Sequence, residues 1–346
     1  MRAGAPPPRA AVVGIAGPAL SGAEAELLAA HPPAGVILFR RNCVDRGQLQ
    51  ALTGSLRALF PGRALPLFVD QEGGRVARLA PPGWELLPSA GAIGRLASSE
   101  PDAGREAARL LGRVIAHDLR EVGIDVACAP VLDVAGEDTT SAIGDRSFGA
   151  DPALVAELAA AFLDGLAAGG VAGVVKHLPG HGRATVDSHL ALPTVAAARA
   201  ELEAADLVPF RRLKDAPFAM TAHVVYAELD PEHPATVSRR VIAGTIRGAL
   251  GVQGLLLSDD LAMHALSGSP AERALAALEA GCDLALHCPG RLEETEAVLE
   301  AAPPLAPSLQ ARLEGVLTSL AARTPEPFDR PRAMARLEEL LAGAVA

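Results

Sequence analysis

The sequence predicts an α/β fold, a single (β/α)₈ barrel. Three observations carry that expectation. Eight short apolar runs recur along the chain, segments with helical spacing lie between them, and six of the eight runs end in a titratable residue. Runs that are apolar at every position suit strands covered on both faces, as in a parallel sheet walled by helices. Regular alternation of such strands with helical crossovers points to a closed barrel, and 346 residues suit one such unit.

In chain order the runs are AAVVGIAG (10–17), GVILF (35–39), LPLFVDQ (65–71), VACAPVLDV (126–134), GVVKHLPG (173–180), FAMTAHVVY (218–226), GLLLSDD (254–260) and DLALHC (283–288). The crossovers begin with SGAEAELLAAH and RGQLQALTGSLRALF. They continue with AGREAARLLGRVIAHDLREVG, PALVAELAAAFLDGLAAGG, AELEAADLVPFRRLKD, RRVIAGTIRGALG and PAERALAALEAGC. Leu, Ile and Val recur in them at helical intervals, and several end in the Gly of a C-cap. APPPRA reads as an irregular end and APPLAP as a turn. TPEPFDRPRAMARLEELLAG supplies a last helix on the outside. No linker separates a second domain. One domain is expected over 1–346, with the barrel in about 10–300 and a helical tail in about 305–346.

A net charge of −10 without clustered Lys or Arg argues against nucleic acid and anionic membrane surfaces as partners. Cys43, Cys128, Cys282 and Cys288 form no CxxC pair, which suits buried free thiols in a reducing compartment. RAAVVGIAGPAL loosely resembles a signal peptide, but Arg9 abuts the apolar run and no A-x-A site follows. No segment has the apolar length of a membrane span, so a cytoplasmic monomer is expected.

Asp70, Asp133, Lys176 with His177, His223, Asp259 with Asp260, and His287 end the third to eighth runs. Barrel active sites form at that end of the strands. The densest stretch is KHLPGHGRATVDSH (176–189), which admits four readings. His177, His181, His189, His223 and Asp259 could ligate a metal, yet the first run lacks the HxH of barrel metallohydrolases and no HExxH occurs. A phosphate cradle lacks GxxxxGK[ST]. A solvated loop suits His181 but leaves Lys176 and His177 unexplained inside an apolar strand, where an unpaired charge is costly. Acid–base chemistry suits Asp187 and His189. Two apart in an extended loop, they place a carboxylate beside an imidazole and keep its pKa near the working pH. The end of LLLSDDL supplies a second carboxylate.

KHLPGHGRATVDSH followed by Pro193 closely resembles the KH-[FL]-PGHG-x4-DSH-x3-P signature of bacterial β-N-acetylglucosaminidases of glycoside hydrolase family 3. The likeness extends to GVILFRRN (35–42), VDQEGGRVARL (69–79), GIDVACAPVLDV (123–134), IGDRSFG (143–149), MTAHVVY (220–226) and LLLSDDLAM (255–263). It is greatest to the single-domain cytoplasmic members of cell-wall recycling, which trim N-acetylglucosamine from 1,6-anhydro-muropeptides. The resemblance implies a retaining enzyme that needs no metal or cofactor. Asp259 would be the nucleophile, His189 the general acid/base and Asp187 its partner. Asp70, Arg78, Arg146, Lys176 and His177 would hold the sugar. His223 is read as lining the pocket floor, with a satisfied core histidine as the alternative.

Other roles stay open at this level. Asp260 is expected to cap a following helix, Arg75 competes with Arg78 for the sugar, and Asp133 can satisfy nearby backbone. His117 and Asp118 read as structural helix residues, and Trp84 as loop packing. Leu178 replaces a commoner Phe, and LAMHALSG departs from the family's small and acidic residues. Scarce aromatics suit one terminal sugar rather than a long glycan groove. A metal-dependent barrel hydrolase and a non-catalytic sugar-binding barrel are the competing readings. The glycines around His181 predict a mobile loop from Gly180 to His189, after the fifth strand.

Overall fold

The computed structural model describes residues 6–186, 191–322 and 327–343. Eight parallel strands form one sheet: β1 (Arg9–Gly14), β2 (Pro33–Leu38), β3 (Leu67–Val69), β4 (Val126–Ala127), β5 (Ala172–Leu178), β6 (Phe218–Thr221), β7 (Leu255–Leu257) and β8 (Ala285–His287). Each pairs with its sequence neighbour, β1 pairs with β8, and a parallel bridge from Leu257 to Leu284 closes the barrel.

Strand periodicity sorts the core into two layers. Val12, Phe68, Val174, Phe218, Leu255 and Leu286 fill the interior. Phe68 and Phe218 meet there edge to face at 5.5 Å. Val13, Val69, Val175, Ala219 and Leu256 point outward to the helices. The run at 126–134 yields only two residues of regular strand, because Pro130 has no N–H for the ladder. Pairing resumes through a bridge from Val131 to Lys176.

On β5 the register shifts between Val175 and Leu178, and the Lys176–His177 peptide is cis. Val175 and Leu178 belong to the outer layer, while Lys176 and His177 both line the cavity at the barrel's top.

Several crossover helices start on side-chain caps. Ser21 and Glu24 form a capping box on α1 (Gly22–Ala30), and Asp45 caps α2 (Arg46–Ala58). Ser89 caps α3 (Ala90–Ser99), and Pro101 opens α4 (Pro101–Glu121). Asp151 caps α5 (Pro152–Ala168). The next crossover is split into α6 (Arg199–Ala204) and α7 (Leu207–Arg212). Pro209 cannot donate a helical bond, and Asp206 turns inward to pair with Arg183 at 2.7 Å. RRVIAGTIRGALG forms a wide π-helical turn over Val241–Ala249. Three more helices follow: α8 (Pro270–Ala280) and α9 (Leu292–Ala301) on the barrel wall, then α10 (Pro307–Ala321).

The tail does more than decorate the outside. Leu305 and Leu313 join the interior cluster, so α10 stoppers the barrel's N-terminal end. α11 (Arg330–Gly343) packs on α3 and α4, where Arg330 grips Asp118 at 2.6 and 2.9 Å. Cys43, Cys128, Cys282 and Cys288 are free and buried. No helix among the described residues is long and apolar enough to cross a membrane.

Candidate active site

A cavity of about 340 Å³ opens at the C-terminal ends of the strands. Ligand pockets span about 300–1,000 Å³, so this one suits a group the size of a single sugar ring. Asp70, Glu72, Arg146, Lys176, His177 and Asp259 give it a polar side. Ile37, Phe39, Met220, Met263 and Leu286 give it an apolar one.

The polar side is built on a chain of five charges alternating in sign. Arg78 Nη2 donates to Asp70 Oδ2 at 2.9 Å. Lys176 Nζ lies 3.0 Å from Asp70 Oδ1 and 2.7 Å from Glu72 Oε1. Arg146 donates through Nε and Nη2 to the two oxygens of Glu72, both at 2.8 Å. The Lys176 side chain is 2% exposed. Burial alone would lower its pKa, but the Asp70 and Glu72 carboxylates outweigh burial and raise it. Burial likewise opposes ionisation of Glu72, yet Lys176 and Arg146 bring it down to about 2. Asp70 is held below the usual carboxylate range against burial by Lys176 and Arg78.

A second unit orients the imidazole of His177. Asp133 Oδ2 lies 2.7 Å from His177 Nδ1, and its Oδ1 accepts the backbone N–H groups of His177 at 3.2 Å and His181 at 2.6 Å. Burial resists this charge, but His177 and the bonds it makes bring Asp133 to about 2. The carboxylate assigns the Nδ1–H tautomer and leaves Nε2 for the pocket, 3.5 Å from Arg146 Nη2. Asp133 therefore satisfies backbone, as expected, and also fixes a ring.

Asp259 continues the inward parity of Leu255 and Leu257 on β7. Its Oδ1 accepts the Asp260 N–H at 2.8 Å. Burial raises its pKa, but His177, His223, the Asp260 amide and Lys176 together hold it below the ordinary value. It is an ionised carboxylate in a partly desolvated wall, the state a nucleophile or an electrostatic stabiliser requires.

The structure corrects several expectations. His223 does not line the cavity. It is fully enclosed, with Nδ1 2.8 Å from Thr236 Oγ1 and Nε2 3.0 Å from the Asp260 carbonyl. Asp260 caps no helix. Its Oδ1 takes the amides of Ala262 and Cys288, tying the β7 turn to the end of β8, while Ser269 caps α8. His181 is buried rather than solvated.

The loop begins anchored. Tyr226 donates to the Gly180 carbonyl at 2.7 Å, Thr139 to the Gly182 carbonyl at 2.6 Å, and Arg183 pairs with Asp206. Glycine at 182 is a packing requirement, since a Cβ there would sit 1.8 Å from the Val134 oxygen. These contacts tie the segment 180–184 to the barrel at its start. Asp187 and His189 lie outside the described residues.

Arg75 and Arg78 divide their work. Arg75 donates to the carbonyls of Ser141 and Ala142 and pairs with Asp145, pinning the loop that carries Arg146. Arg78 pairs with Asp70 and stacks over Phe39, 4.9 Å from the ring centre. Sequence reasoning missed Glu72, although counting by two from Phe68 through Asp70 reaches it. Among the described residues, a His/Asp/Glu group tight enough to share an ion, His117, Asp118 and Glu121, lies on α4, and its Asp118 is held by Arg330.

The family model described as the glycosyl hydrolase family 3 N-terminal domain matches residues 11–318. A β-hexosaminidase of Alkalilimnicola ehrlichii is 43% identical over 308 residues, covering 87% of this chain and 86% of that protein. The crystal structure of NagZ from Neisseria gonorrhoeae in complex with N-trifluoroacetyl-D-glucosamine superposes with a TM-score of 0.86 at 36% identity, covering 97% and 98% of the two chains. A family 3 β-N-acetylglucosaminidase from Paenibacillus sp. gives 0.82 at 32% identity, covering 96% of this chain and 66% of that one. The match runs through every strand that carries a cavity residue, and the chain belongs to glycosyl hydrolase family 3 as a glycosidase of the β-hexosaminidase type.

Proposed function

We propose that the protein is a retaining exo-β-N-acetylglucosaminidase. It removes terminal N-acetylglucosamine from peptidoglycan fragments of the GlcNAc–1,6-anhydro-MurNAc type, as a cytoplasmic monomer in cell-wall recycling. The observation that carries the reading is the ionised Asp259 in the wall of a cavity sized for one sugar, on the polar side it shares with a preformed set of paired charges. The Neisseria relative, whose structure holds an N-acylated glucosamine, supports the sugar class.

In this reading Asp70, Arg78, Arg146, Lys176 and His177 hold the hydroxyls, since the set offers both donors and acceptors. Asp259 attacks the anomeric carbon while His189, oriented by Asp187, protonates the departing oxygen. The glycosyl ester is then cleaved by water that His189 deprotonates, so configuration is retained. A histidine here replaces one carboxylate of the usual pair.

A fluorinated slow substrate tests the assignment. Peptide mass spectrometry should find the sugar on Asp259, and Asp259→Asn should lose both label and turnover while keeping its melting temperature. A label on Asp260 overturns the assignment. Turnover with no protein adduct overturns the covalent step, because the substrate's own acetamido oxygen would then be the nucleophile.

A further inference from the structure

We infer that His223 is a positioning residue for the nucleophile, holding the backbone of Asp260 so that the Asp259 carboxylate is aimed at the sugar. This rests on the role given to Asp259 above. The ring touches no part of the cavity, so it has no direct route to substrate. Its Nε2 lies 3.0 Å from the Asp260 carbonyl. A carbonyl can only accept, so Nε2 carries a proton in either charge state of the ring. Nδ1 lies 2.8 Å from Thr236 Oγ1, which is itself 2.7 Å from Thr221 Oγ1 and 3.0 Å from the Ala222 carbonyl oxygen. Both edges of the imidazole are therefore fixed.

The held residue is the one that sets Asp259. The Asp260 N–H donates to Asp259 Oδ1 at 2.8 Å, and the Asp260 side chain is tied to the Cys288 amide beyond β8 at 3.1 Å. His223 fastens the turn from the β6 side, and Cys288 from the β8 side. The Asp260 carbonyl also takes the Met263 N–H at 3.1 Å, and the Leu261 N–H bonds to the Leu286 carbonyl at 2.9 Å. Loss of His223 therefore frees the β6 side of a turn still held from β8 and shifts the attacking oxygen. A misplacement of about 1 Å costs on the order of 100-fold in rate.

Three variants test this. His223→Leu removes both bonds. His223→Asn is too short for the Asp260 carbonyl, and His223→Gln can still reach it. In the Leu and Asn variants the rate of Asp259 labelling by the fluorinated substrate should fall with kcat, by about 10- to 100-fold. The inhibition constant of free N-acetylglucosamine should stay within about twofold, which also certifies a folded pocket. The Gln variant should recover most of the loss. Wild-type labelling rates in Leu and Asn, or a weakened inhibitor with kcat intact, overturn the inference. Failure of the wild type itself to label at Asp259 removes the underlying assignment instead.

Discussion

Replacing Glu72 by Gln isolates what one buried charge contributes. Gln has the shape of a protonated Glu, so the variant removes the charge and little else. In the folded protein Glu72 is held near 2, against an ordinary value of 4.5. That difference corresponds to about 3 kcal/mol of stability at neutral pH. It lies at the lower edge of the roughly 3–5 kcal/mol lost when one partner of a buried ion pair is removed. At about 2 °C per kcal/mol, the melting temperature should fall by roughly 6 °C at pH 7. The sign of the pH dependence follows from the depressed pKa. Between about 4.5 and 2 the unfolded chain takes up the proton first, so the Glu72 contribution is complete above that window and drains away as pH falls through it. Thermal melts of both proteins by circular dichroism, stepped from pH 7 to pH 3, should show the gap narrowing only below about pH 4.5. A gap under about 1 °C at pH 7, or one that stays constant to pH 3, refutes the reasoning.

Gly182→Ala should lower both the melting temperature and kcat, because the added Cβ displaces the 180–184 segment from Val134; wild-type values for both would show that the seat has room to give. On the proposed mechanism, His189→Ala should lose about 100- to 10,000-fold on substrates with poor leaving groups and far less on activated aryl glycosides, and Asp187→Ala should act as a weaker version with a shifted acidic limb. Equal losses across a leaving-group series would remove His189 from the acid role.

The barrel was legible because burial on both faces leaves a local signature, a run of apolar residues that ends in a charge. Asp70, Lys176, His177 and Asp259 came with it, since the end of a barrel strand has few places to point but the mouth. What escaped were relations between distant residues. Glu72 owes its burial to Arg146, 74 positions away, and to Lys176 on another strand. His223 turns from the cavity because Thr236 and Asp260 take both its nitrogens, a competition no local pattern records. Glycines around His181 gave no hint of packing, yet at Gly182 a Cβ would meet the Val134 oxygen. A glycine reads alike whether it frees a chain or admits a neighbour.

The register shift on β5 has a geometric consequence. Under strict alternation a strand contributes one inward side chain in about 6.6 Å, twice the rise per residue. β5 presents two consecutive ones, Lys176 and His177, to the cavity. One reaches the carboxylates that follow β3, and the other the carboxylate that follows β4. A single strand thereby cross-braces its two predecessors, each with a different chemistry. Strict alternation through these same residues, with no shift, would exchange the faces of His177 and all that follows. The imidazole would turn into the helix layer and Leu178 into the cavity, so the shift is as much a part of the site as the side chains it presents.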